Sequence, residues 1–337
     1  MGNVTIYDVA KEAKCSPATV SLVFKNSDRI KPDTHKRVIK AAKKLHYTPN
    51  YIAQSLITKA THTLGVIVPD IENPLYSCMI SGIEEYANAN GYDIILGISD
   101  SDMEKESHHL DMLAKKRIDG LVLFPTFIDR IKEKLENSSS YDIPIVLCGS
   151  SGKNIVKTDY VKCDNRIGSF NAINHLIDTG CRKIGCIFPV HDKKQSESRL
   201  TGYRDSLSEH NIPFEESLIK YCSTDYNDIF RATSELIKDS SPDAVFCLYD
   251  YCASIVVSAI LRMGLSIPND IAVMGYDNIP LSQFFPISLS TVDTHGKEVG
   301  TKATELLIEK IKNPETPIRQ VLLTPSVVIR DSTKRAN

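Results

Sequence analysis

The sequence predicts a small all-α head of three helices, followed by an α/β body of two doubly wound parallel-sheet subdomains. Two observations support this prediction. Residues 1–60 hold 11 Lys/Arg against 4 Asp/Glu and place apolar residues at helical spacing. From residue 63 onward, apolar strand-like runs alternate with helical patterns, and the alternation restarts after Lys162.

The composition is that of an ordinary globular protein of 337 residues, 42% hydrophobic and 24% charged. No apolar run approaches the roughly 20 residues of a membrane span, and the N-terminus lacks the pattern of a secretory signal. The nine cysteines are scattered and form no C-x-x-C pair, which disfavours zinc sites and disulfide frameworks. We therefore expect free thiols, a reducing cytoplasmic location and no membrane association.

The net charge of −2 conceals an asymmetry between the two parts of the chain. Residues 1–60 carry a net charge of +7, whereas the remainder holds 29 basic and 38 acidic residues, a net charge of −9. A basic head on an acidic body predicts that the head alone binds a polyanion.

The first helix is expected over residues 4–13, with Thr5 as its N-cap and Asp8 at the capping-box position. Its apolar stripe consists of Ile6, Val9, Ala10 and Ala13. The short Lys14-Cys15 connection that follows gives the spacing of a helix-turn-helix.

A second helix is expected over residues 16–24, where Ser16 suits the N-cap and Pro17 the first helical position. Its apolar face contains Val20, Val23 and Phe24. The opposite face is small, polar or methyl-bearing and contains Ala18, Thr19, Ser21 and Leu22. This face suits a DNA major groove, because apolar groups fit thymine methyls and hydroxyls fit base edges or phosphates.

A third helix begins at Pro32 and completes a minimal core. Its inward positions are Val38, Ala41, Ala42 and Leu45. In such an arrangement the second helix can enter the groove while the first crosses the backbone. The Tyr47-Thr48-Pro49-Asn50 segment ends this helix. Residues 50–59 have helical character but are too short to be stable alone, so they either fold with a partner copy or DNA, or form a disordered linker.

The body shows alternating strands and helices in two successive halves, a pattern typical of parallel sheets covered on both faces. The first half predicts strands at 64–68, 93–98, 120–124 and 143–147, and helices at 74–90, 103–116 and 129–137. The second half predicts strands at 183–188, 219–222, 244–248 and 271–275, and helices at 165–179, 196–210, 226–238 and 251–263.

Two α/β halves of similar size predict a ligand cleft between them, near the carboxyl ends of the strands. The last helix, 296–311, is expected to pack with the first half, so that the chain crosses between the halves more than once.

At this point the chain resembles the lactose-repressor/galactose-repressor (LacI/GalR) family of transcriptional regulators over essentially its full length. In the head, the motifs are VTIYDVA (4–10), SPATVS (16–21) and YTPN (47–50). In the body, they are LGVIVP (64–69), NP (73–74), GY (91–92), DG (119–120), GY (202–203), GYDN (275–278) and VIRDS (328–332). Each motif is weak alone, but their order and spacing together are specific.

The resemblance implies a homodimer in which each head places its second helix in the major groove of one half-site of a pseudo-palindromic double-stranded DNA operator. It implies that Pro17, Ala18 and Leu22 read bases, and since all three are apolar, van der Waals or shape readout should dominate. The phosphate contacts would be Tyr7, Ser16, Thr19, Ser21, Asn26 and Tyr47. The remaining DNA contacts would be Thr5, Asn50 and Ala53.

Leu56 matches the wedge residue of this family. Two such leucines from paired hinge helices would enter the minor groove at the operator centre and kink it. The alternative is that Leu56 packs between the paired hinge helices. No leucine-heptad tail follows Arg330, which favours a dimer over a tetramer.

For the body, the resemblance implies a periplasmic-binding-protein-like fold and a small-molecule effector in the cleft, which would be a sugar, a sugar phosphate or a nucleobase-like compound. The implied contacts are Leu75, Tyr76, Arg199, Tyr226, Tyr249 and Asp277. An Arg and an Asp between aromatic walls suit such a ligand. Tyr226 could equally be an exposed loop aromatic, and Tyr249-Asp250 stands where many members have Asn-Asp.

The resemblance divides the chain into a helix-turn-helix domain (1–47), a hinge helix or linker (48–62) and an effector-binding and dimerisation domain (63–337). The first subdomain would cover about 63–162 and 292–320, and the second about 163–291 and 321–331. The implied mechanism is linkage, in which the effector sets the angle between the halves and so the ordering of the hinge helices on DNA. An inducer, a corepressor and a protein coregulator are all compatible with this mechanism.

Other chemistry finds little support in the sequence. His108-His109 with Asp111 would place adjacent histidines about 100° apart on a helix, which is typical of a solvated face and not of a metal site. The loop at 149–153 departs from a phosphate-binding loop at Leu147 and Asn154. No G-x-S-x-G or H-E-x-x-H motif is present. We expect no enzymatic activity, cofactor or metal, and the competing interpretation is a periplasmic-type ligand-binding protein without DNA function.

Overall fold

A computed structural model describes residues 4–24, 30–48, 60–126, 143–149, 158–189 and 193–335, with the backbone alone at 193–196. The chain divides into two compact units, Met1–Thr61 and His62–Asn337, which we call the head and the body. Several predicted features lie outside the described residues, namely Asn26, the segment 50–59, the helix at 129–137 and most of the loop at 149–153.

The described part of the head consists of three helices, α1 (Ile6–Glu12), α2 (Pro17–Phe24) and α3 (Pro32–Lys44). Phe24 and Leu45 pack against the edge of their common core. The buried members of this core are Val9, Ala10, Ala13, Val20, Val23, Val38, Ala41 and Ala42. The three-helix head predicted from apolar spacing is therefore confirmed.

Side-chain caps fix where the first two helices begin. The Asp8 carboxylate accepts hydrogen bonds from the Thr5 backbone N–H at 2.8 Å and from the Thr5 hydroxyl at 2.7 Å. The Ser16 hydroxyl accepts a hydrogen bond from the Thr19 N–H at 3.1 Å, and Pro17 occupies the first position of α2. These groups satisfy backbone N–H groups that have no partner within the helix, so the predicted cap at Ser16 is confirmed.

The body alternates strands and helices along the chain. In order, its elements are β1 (Thr63–Val68), α4 (Pro74–Ala89), β2 (Asp93–Ile98), α5 (Met103–Lys115), β3 (Gly120–Leu123), β4 (Ile145–Cys148), β5 (Asp159–Cys163), α6 (Asn165–Asp178), β6 (Ile184–Pro189), α7 (Lys193–Glu209), β7 (Ile219–Cys222), α8 (Tyr226–Ser240), β8 (Ala244–Cys247), α9 (Asp250–Arg262), β9 (Ala272–Met274), β10 (Thr291–Asp293), α10 (Gly296–Lys312), β11 (Gln320–Leu323) and β12 (Ser326–Val328). Among these helices, none is long and apolar enough to cross a membrane.

The first lobe is built on a six-stranded parallel sheet in the order β11-β5-β4-β3-β1-β2. Helices α4 and α10 cover one face of it, where Leu64 and Val122 are buried. Helix α5 covers the other face, over Ile67 and Leu121. Strands buried on both faces have apolar residues at successive positions, which is why the sequence pattern indicated them.

Helices α4 and α10 cross at two glycines. A Cβ atom at Gly82 would collide with the Lys297 carbonyl oxygen, and one at Gly300 would collide with the Met79 carbonyl oxygen. Because Val299 of α10 belongs to the buried cluster of the first lobe, the predicted return of the last helix to this lobe is confirmed.

The second lobe holds a four-stranded parallel sheet in the order β7-β6-β8-β9. Helices α6 and α7 cover one face, where Tyr203 and Phe246 are fully buried. Helices α8 and α9 cover the other face over Val245 and Val273. Both lobes are thus doubly wound, as the alternating pattern predicted.

Among the described residues, the chain passes between the lobes three times, namely between β5 and α6, between β10 and α10, and between β11 and β12. Two expected boundaries are corrected by strand pairing. Residues 321–323 belong to the first lobe, because β11 pairs with β5. Residues 292–293 belong to the second, because β10 pairs antiparallel with β12 and Val292 packs in the core of that lobe.

Candidate functional site

Helix α2 turns one face to the core of the head and the opposite face outward. Val20 and Val23 are buried, whereas Ala18 is exposed and the Leu22 side chain is 37% exposed. The half-buried residues beside the outward face are Pro17, Thr19 and Ser21. The structure therefore places Ala18 and Leu22 of the predicted base-facing residues on one side of α2, with Pro17 half-buried at the start of the helix.

The predicted phosphate contacts of the head differ in their surroundings. Tyr7 on α1 is 71% exposed. The Ser16 hydroxyl lies 2.9 Å from the Thr19 hydroxyl, so these two groups already bond to each other. Tyr47 is half-buried, with its ring centre 5.8 Å from that of Phe24, and burial raises the pKa of its hydroxyl. Tyr47 thus ties the segment after α3 to α2.

The charged groups of the head lie outside α2, whose eight residues include no charged side chain. The described basic residues are Lys11, Lys14, Lys31, Lys36, Arg37, Lys40, Lys43 and Lys44, and the acidic ones are Asp8, Glu12 and Asp33. Only Lys44 and Glu12 among these form an ion pair in the described part of the head, at 2.7 Å. An apolar helix flanked by a positive surface suits a groove of a DNA duplex, which lies between two phosphate backbones.

The body contains a cleft of about 740 Å³ between its two lobes. Its lining includes residues that end or directly follow parallel strands, such as Pro69 after β1 and Leu248 after β8. In the first lobe, the rings of Tyr76 and Phe124 meet edge to face with centres 5.9 Å apart. Tyr249 of the second lobe also lines the cleft. The predicted position of a ligand site at the carboxyl ends of the strands therefore coincides with this cleft.

Arg199 and Asp277 form a buried ion pair in the cleft. Nη2 of Arg199 lies 3.3 Å from Oδ1 of Asp277, and their side chains are 13% and 2% exposed. Nη1 of Arg199 donates to the Leu248 carbonyl oxygen. The guanidinium carbon lies 3.8 Å from the centre of the Tyr276 ring. A planar guanidinium held on three sides has a fixed orientation, so its remaining N–H groups point in set directions.

Asp277 of this pair has a second buried carboxyl group, Asp250, near it. Burial raises the pKa of Asp277 to about 6, although Arg199 opposes the shift. Asp250 is fully buried, and it accepts hydrogen bonds from the Thr291 hydroxyl at 2.6 Å and from the Ile279 N–H at 2.8 Å. Burial raises the pKa of Asp250 to about 8, with a further rise from Asp277 and an opposing effect of the two donors. Both carboxyl groups therefore retain their protons to a higher pH than exposed carboxyl groups do.

A strained turn connects the cleft to the chain crossings. Asp277 and Asn278 have φ angles of 102° and 52°, a left-handed conformation that Asn and Asp tolerate better than other non-glycine residues. The Asn278 side chain donates to Asp293 at 3.0 Å and accepts from Arg330 at 2.8 Å. Asp293 ends β10 at the second crossing, and Arg330 follows β12 beyond the third. Asp277 therefore lines the cleft, while its neighbour Asn278 bonds to residues at the chain crossings.

Five of the six predicted effector contacts line the cleft, namely Leu75, Tyr76, Arg199, Tyr249 and Asp277. Tyr226 is absent from the described lining. Its ring stacks on Phe230 of the same helix, with centres 6.0 Å apart, because both residues lie on one side of α8. Thr224, two positions earlier, lines the cleft instead.

Sequence reasoning missed several lining residues, including Phe124, Lys162 and Thr294. Phe124 directly follows β3, so the residues after each parallel strand would have been the signal. The described charged residues of the lining are Asp70, Glu72, Asp100, Lys162, Arg199 and Asp277. Since Arg199 is already paired with Asp277, the described rim carries more negative than positive charge.

The two histidines of α5 have different surroundings, since His108 is exposed and His109 is half-buried. The His109 ring packs against Gly97, and its Nε2 lies 2.9 Å from the Ile98 carbonyl oxygen. In the part of the chain that the structure covers, no group of three or more His, Cys, Asp or Glu residues could hold a metal ion. All nine cysteines are free thiols.

Comparison with known proteins assigns both units of the chain. Residues 5–50 match the family of bacterial regulatory proteins of the lacI type, and residues 173–333 match a periplasmic binding protein-like domain. The HTH-type transcriptional repressor PurR of Aliivibrio salmonicida is 33% identical over 333 residues, covering 98% of this chain and 99% of the relative.

Two solved structures show the same fold. The transcriptional regulator CelR in complex with cellobiose is 26% identical, with a TM-score of 0.73 over 98% of this chain and 100% of the other. The lac repressor dimer bound to operator and an anti-inducer is 23% identical, with a TM-score of 0.87 over 98% of this chain and 99% of the other. On the full-length identity with a transcriptional repressor, this chain is a DNA-binding transcriptional regulator and not an enzyme, and it belongs to the LacI family of bacterial regulatory proteins.

Proposed function

We propose that two copies of this chain bind a pseudo-palindromic operator in the cytoplasm and repress transcription there, with α2 of each copy in the major groove of one half-site. The observation that carries this proposal is the outward face of α2, which takes no part in the core of the head. In a helix-turn-helix, this is the helix that reads the groove while the first crosses the backbone. The lac repressor structure cited above contains a dimer on its operator.

The proposed DNA contacts are of two kinds. Pro17, Ala18 and Leu22 face the bases. The residues proposed to contact phosphates or to complete the interface are Thr5, Tyr7, Ser16, Thr19, Ser21, Asn26, Tyr47, Asn50 and Ala53. Leu56, in the segment between the head and the body, is proposed as the minor-groove wedge.

The proposed effector binds between the lobes, at Leu75, Tyr76, Arg199, Tyr249 and Asp277. The negative rim and the internally paired Arg199 favour a neutral polar compound, such as a sugar or a nucleobase, over a sugar phosphate. Of the described lining residues, Asp70 and Glu72 would repel a phosphate group, whereas Asp100 is paired with Lys105 and Arg199 with Asp277, which leaves Lys162 alone to pair with the phosphate. Aromatic rings on both lobes provide faces for stacking on such a ligand.

Effector control would act through the angle between the lobes. A ligand that contacts both lobes stabilises the closed arrangement, and the effect on DNA affinity equals its preference for one arrangement over the other. The competing interpretation, a ligand-binding protein without DNA function, is disfavoured by the full-length identity with repressors.

Operator selection from random duplexes by the full-length protein tests the proposal. We expect a pseudo-palindromic consensus, an affinity that falls steeply with salt, and loss of all binding when residues 1–60 are removed. Failure to enrich any sequence over bulk DNA, with or without the ligands below, would overturn it.

The effector is identified by thermal shift of the full-length protein against neutral sugars, sugar phosphates and nucleobases. A ligand at 100 times its Kd should add about 2.7 kcal/mol of stability. We expect the shift with a neutral compound, and its loss in an Arg199→Ala variant. A shift seen only with phosphorylated compounds would contradict the proposed ligand class and leave the DNA function standing.

A further inference from the structure

The outward face of α2 offers methyl groups to a partner and almost no hydrogen-bonding groups. At about 100° per residue, Ala18 and Leu22 lie roughly 40° apart on the helix. They point roughly opposite to the buried pair Val20 and Val23. Leu22 is 37% exposed, so its side chain is available for contact without any rearrangement of the head.

The polar side chains of this region lie beside the outward face of α2 or already have hydrogen-bond partners. The hydroxyls of Ser16 and Thr19 bond to each other at 2.9 Å, and Ser16 also caps the helix. The helix contains no charged or amide side chain among its eight residues, Pro17–Phe24. In this helix, only the Ser21 hydroxyl remains beside the outward face as a polar group without an assigned structural task.

The base edges in the major groove present different chemical groups to a protein. Guanine, adenine and cytosine present hydrogen-bonding groups, and thymine adds a C5 methyl group, which is the apolar feature of that groove. A leucine or alanine pressed against a guanine or adenine edge leaves acceptors and donors without partners, and that is unfavourable. The same side chains against a thymine methyl bury apolar surface.

Affinity for the duplex as a whole has a separate source. The exposed basic residues lie on α1 and α3 and in their connections, for example Lys11, Lys14, Lys36 and Lys40. Phosphate contacts of this kind position a protein without reading sequence. The division of labour in the head therefore places sequence discrimination on the apolar face of α2.

We propose that Leu22, with Ala18 beside it, selects the operator by contact with thymine C5 methyl groups in each half-site, in place of hydrogen bonds to base edges. This inference rests on the proposed function, because it requires α2 to lie in the major groove. It assigns Leu22 as a specificity-determining residue and predicts a T·A pair at the base it faces.

The test replaces each thymine of the selected operator by uracil, in both half-sites at once, and measures binding of the full-length protein by mobility shift. Uracil keeps every hydrogen-bonding group of thymine and lacks only the methyl. At one symmetric position, we expect about a fourfold loss per methyl and about a fifteenfold loss for the pair. Replacing that T·A pair by C·G should also weaken binding, and 5-methylcytosine should restore a large part of the loss.

A variant separates contact from indirect effects. In Leu22→Ala, the uracil penalty at that position should fall below about twofold, because the partner of the methyl group is gone. Leu261→Ala is the matched control, since Leu261 is 39% exposed on the body, and it should keep the full penalty.

Two outcomes would overturn the inference. One is a selective operator at which no thymine-to-uracil exchange changes affinity more than twofold. The other is an equal uracil penalty in wild type and Leu22→Ala. Both leave the proposed function intact, whereas absence of any sequence preference in the wild type counts against the proposed function itself.

Discussion

Arg199 and Asp277 lie 78 positions apart in the sequence and meet at 3.3 Å between Nη2 and Oδ1 in the cleft of the body. The Tyr276 ring and the Leu248 carbonyl hold the guanidinium in place. A ligand therefore meets groups that are already oriented, which lowers the entropy that binding must overcome.

Asp277→Asn should weaken effector binding at least tenfold and leave operator affinity in the absence of effector within about twofold. The amide keeps the shape of the side chain but removes the charge that pairs with Arg199, so the guanidinium loses its orientation. Thermal shift against the identified effector measures the first effect, and mobility shift the second. Asp239→Asn, a surface change on the same lobe, is the control. An unchanged effector affinity would place the ligand away from this pair.

The contribution of Asp250 and Asp277 to the stability of the body should fall as pH rises from about 4 to about 8. Asp250 and Asp277 have raised pKa values of about 8 and about 6, so the folded chain retains protons that the unfolded chain releases above about pH 4. Protons bound in excess by the folded state make stability decrease with pH, by up to about 1.4 kcal/mol per unit for each group.

Asp250→Asn isolates the larger contribution. The variant loses one acceptor at every pH, so its overall stability is not the readout. The free energy of unfolding between pH 6 and 8, from urea titrations, should depend on pH less steeply than in the wild type. Parallel slopes would show that Asp250 is ionised throughout this range.

Gly300→Ala should destabilise the first lobe by about 1–3 kcal/mol. The added Cβ would collide with the Met79 carbonyl oxygen, so α10 must move away from α4. Urea titration of the full-length protein measures the effect, and Glu298→Ala on the exposed side of α10 is the control. Equal stability of the two variants would mean that the helices separate at no cost.

Ser16→Ala should destabilise the head by about 1 kcal/mol, because the Thr19 N–H loses its cap. Ser16→Asp restores an acceptor at the same position and should recover the stability. Even with its stability recovered, the Ser16→Asp variant should bind DNA more weakly than the wild type, because a carboxylate at the N-terminal end of α2 repels phosphates. Recovery of both properties would argue against a phosphate contact at this site.

Leu56→Ala should weaken binding to the selected operator far more than binding to random DNA. A wedge acts only where the minor groove is opened, whereas loss of general hinge packing affects every DNA. Mobility shift with both DNAs measures the ratio, and equal losses would reject the wedge role.

Local patterns predicted the elements whose burial is continuous and missed those whose pairing is distant. The almost continuously buried strands β1 and β3 lie within one residue of the predicted 64–68 and 120–124. Strand β5, Asp159–Cys163, was not predicted, because Asp159 and Lys162 interrupt the apolar run by which the other strands were recognised. Its partner β11 pairs Gln320 with Tyr160, and no local pattern identifies a partner 160 residues away.

The presence of the cleft and some of its residues were predictable from the sequence, but the contacts among those residues were not. Arg199 and Asp277 lie in recognisable motifs, so their selection followed from sequence. The stacking of Arg199 on Tyr276 and the burial of Asp250 depend on how α7, α9 and the turn at Asp277 pack together. Tyr226 shows the limit most plainly, since the sequence places it at the start of α8 but does not show which side of that helix faces the cleft.

The late position of β11 has a consequence for synthesis of the chain. The edge of β5 stays open until residues 320–323 emerge from the ribosome and pair with it. The second lobe also completes its packing only after the C-terminal residues are synthesised, because the Ser332 hydroxyl bonds to the Val273 carbonyl oxygen at 2.6 Å. A nonsense codon shortly before Gln320 would therefore leave both lobes unfinished, with an unpaired strand edge prone to aggregation.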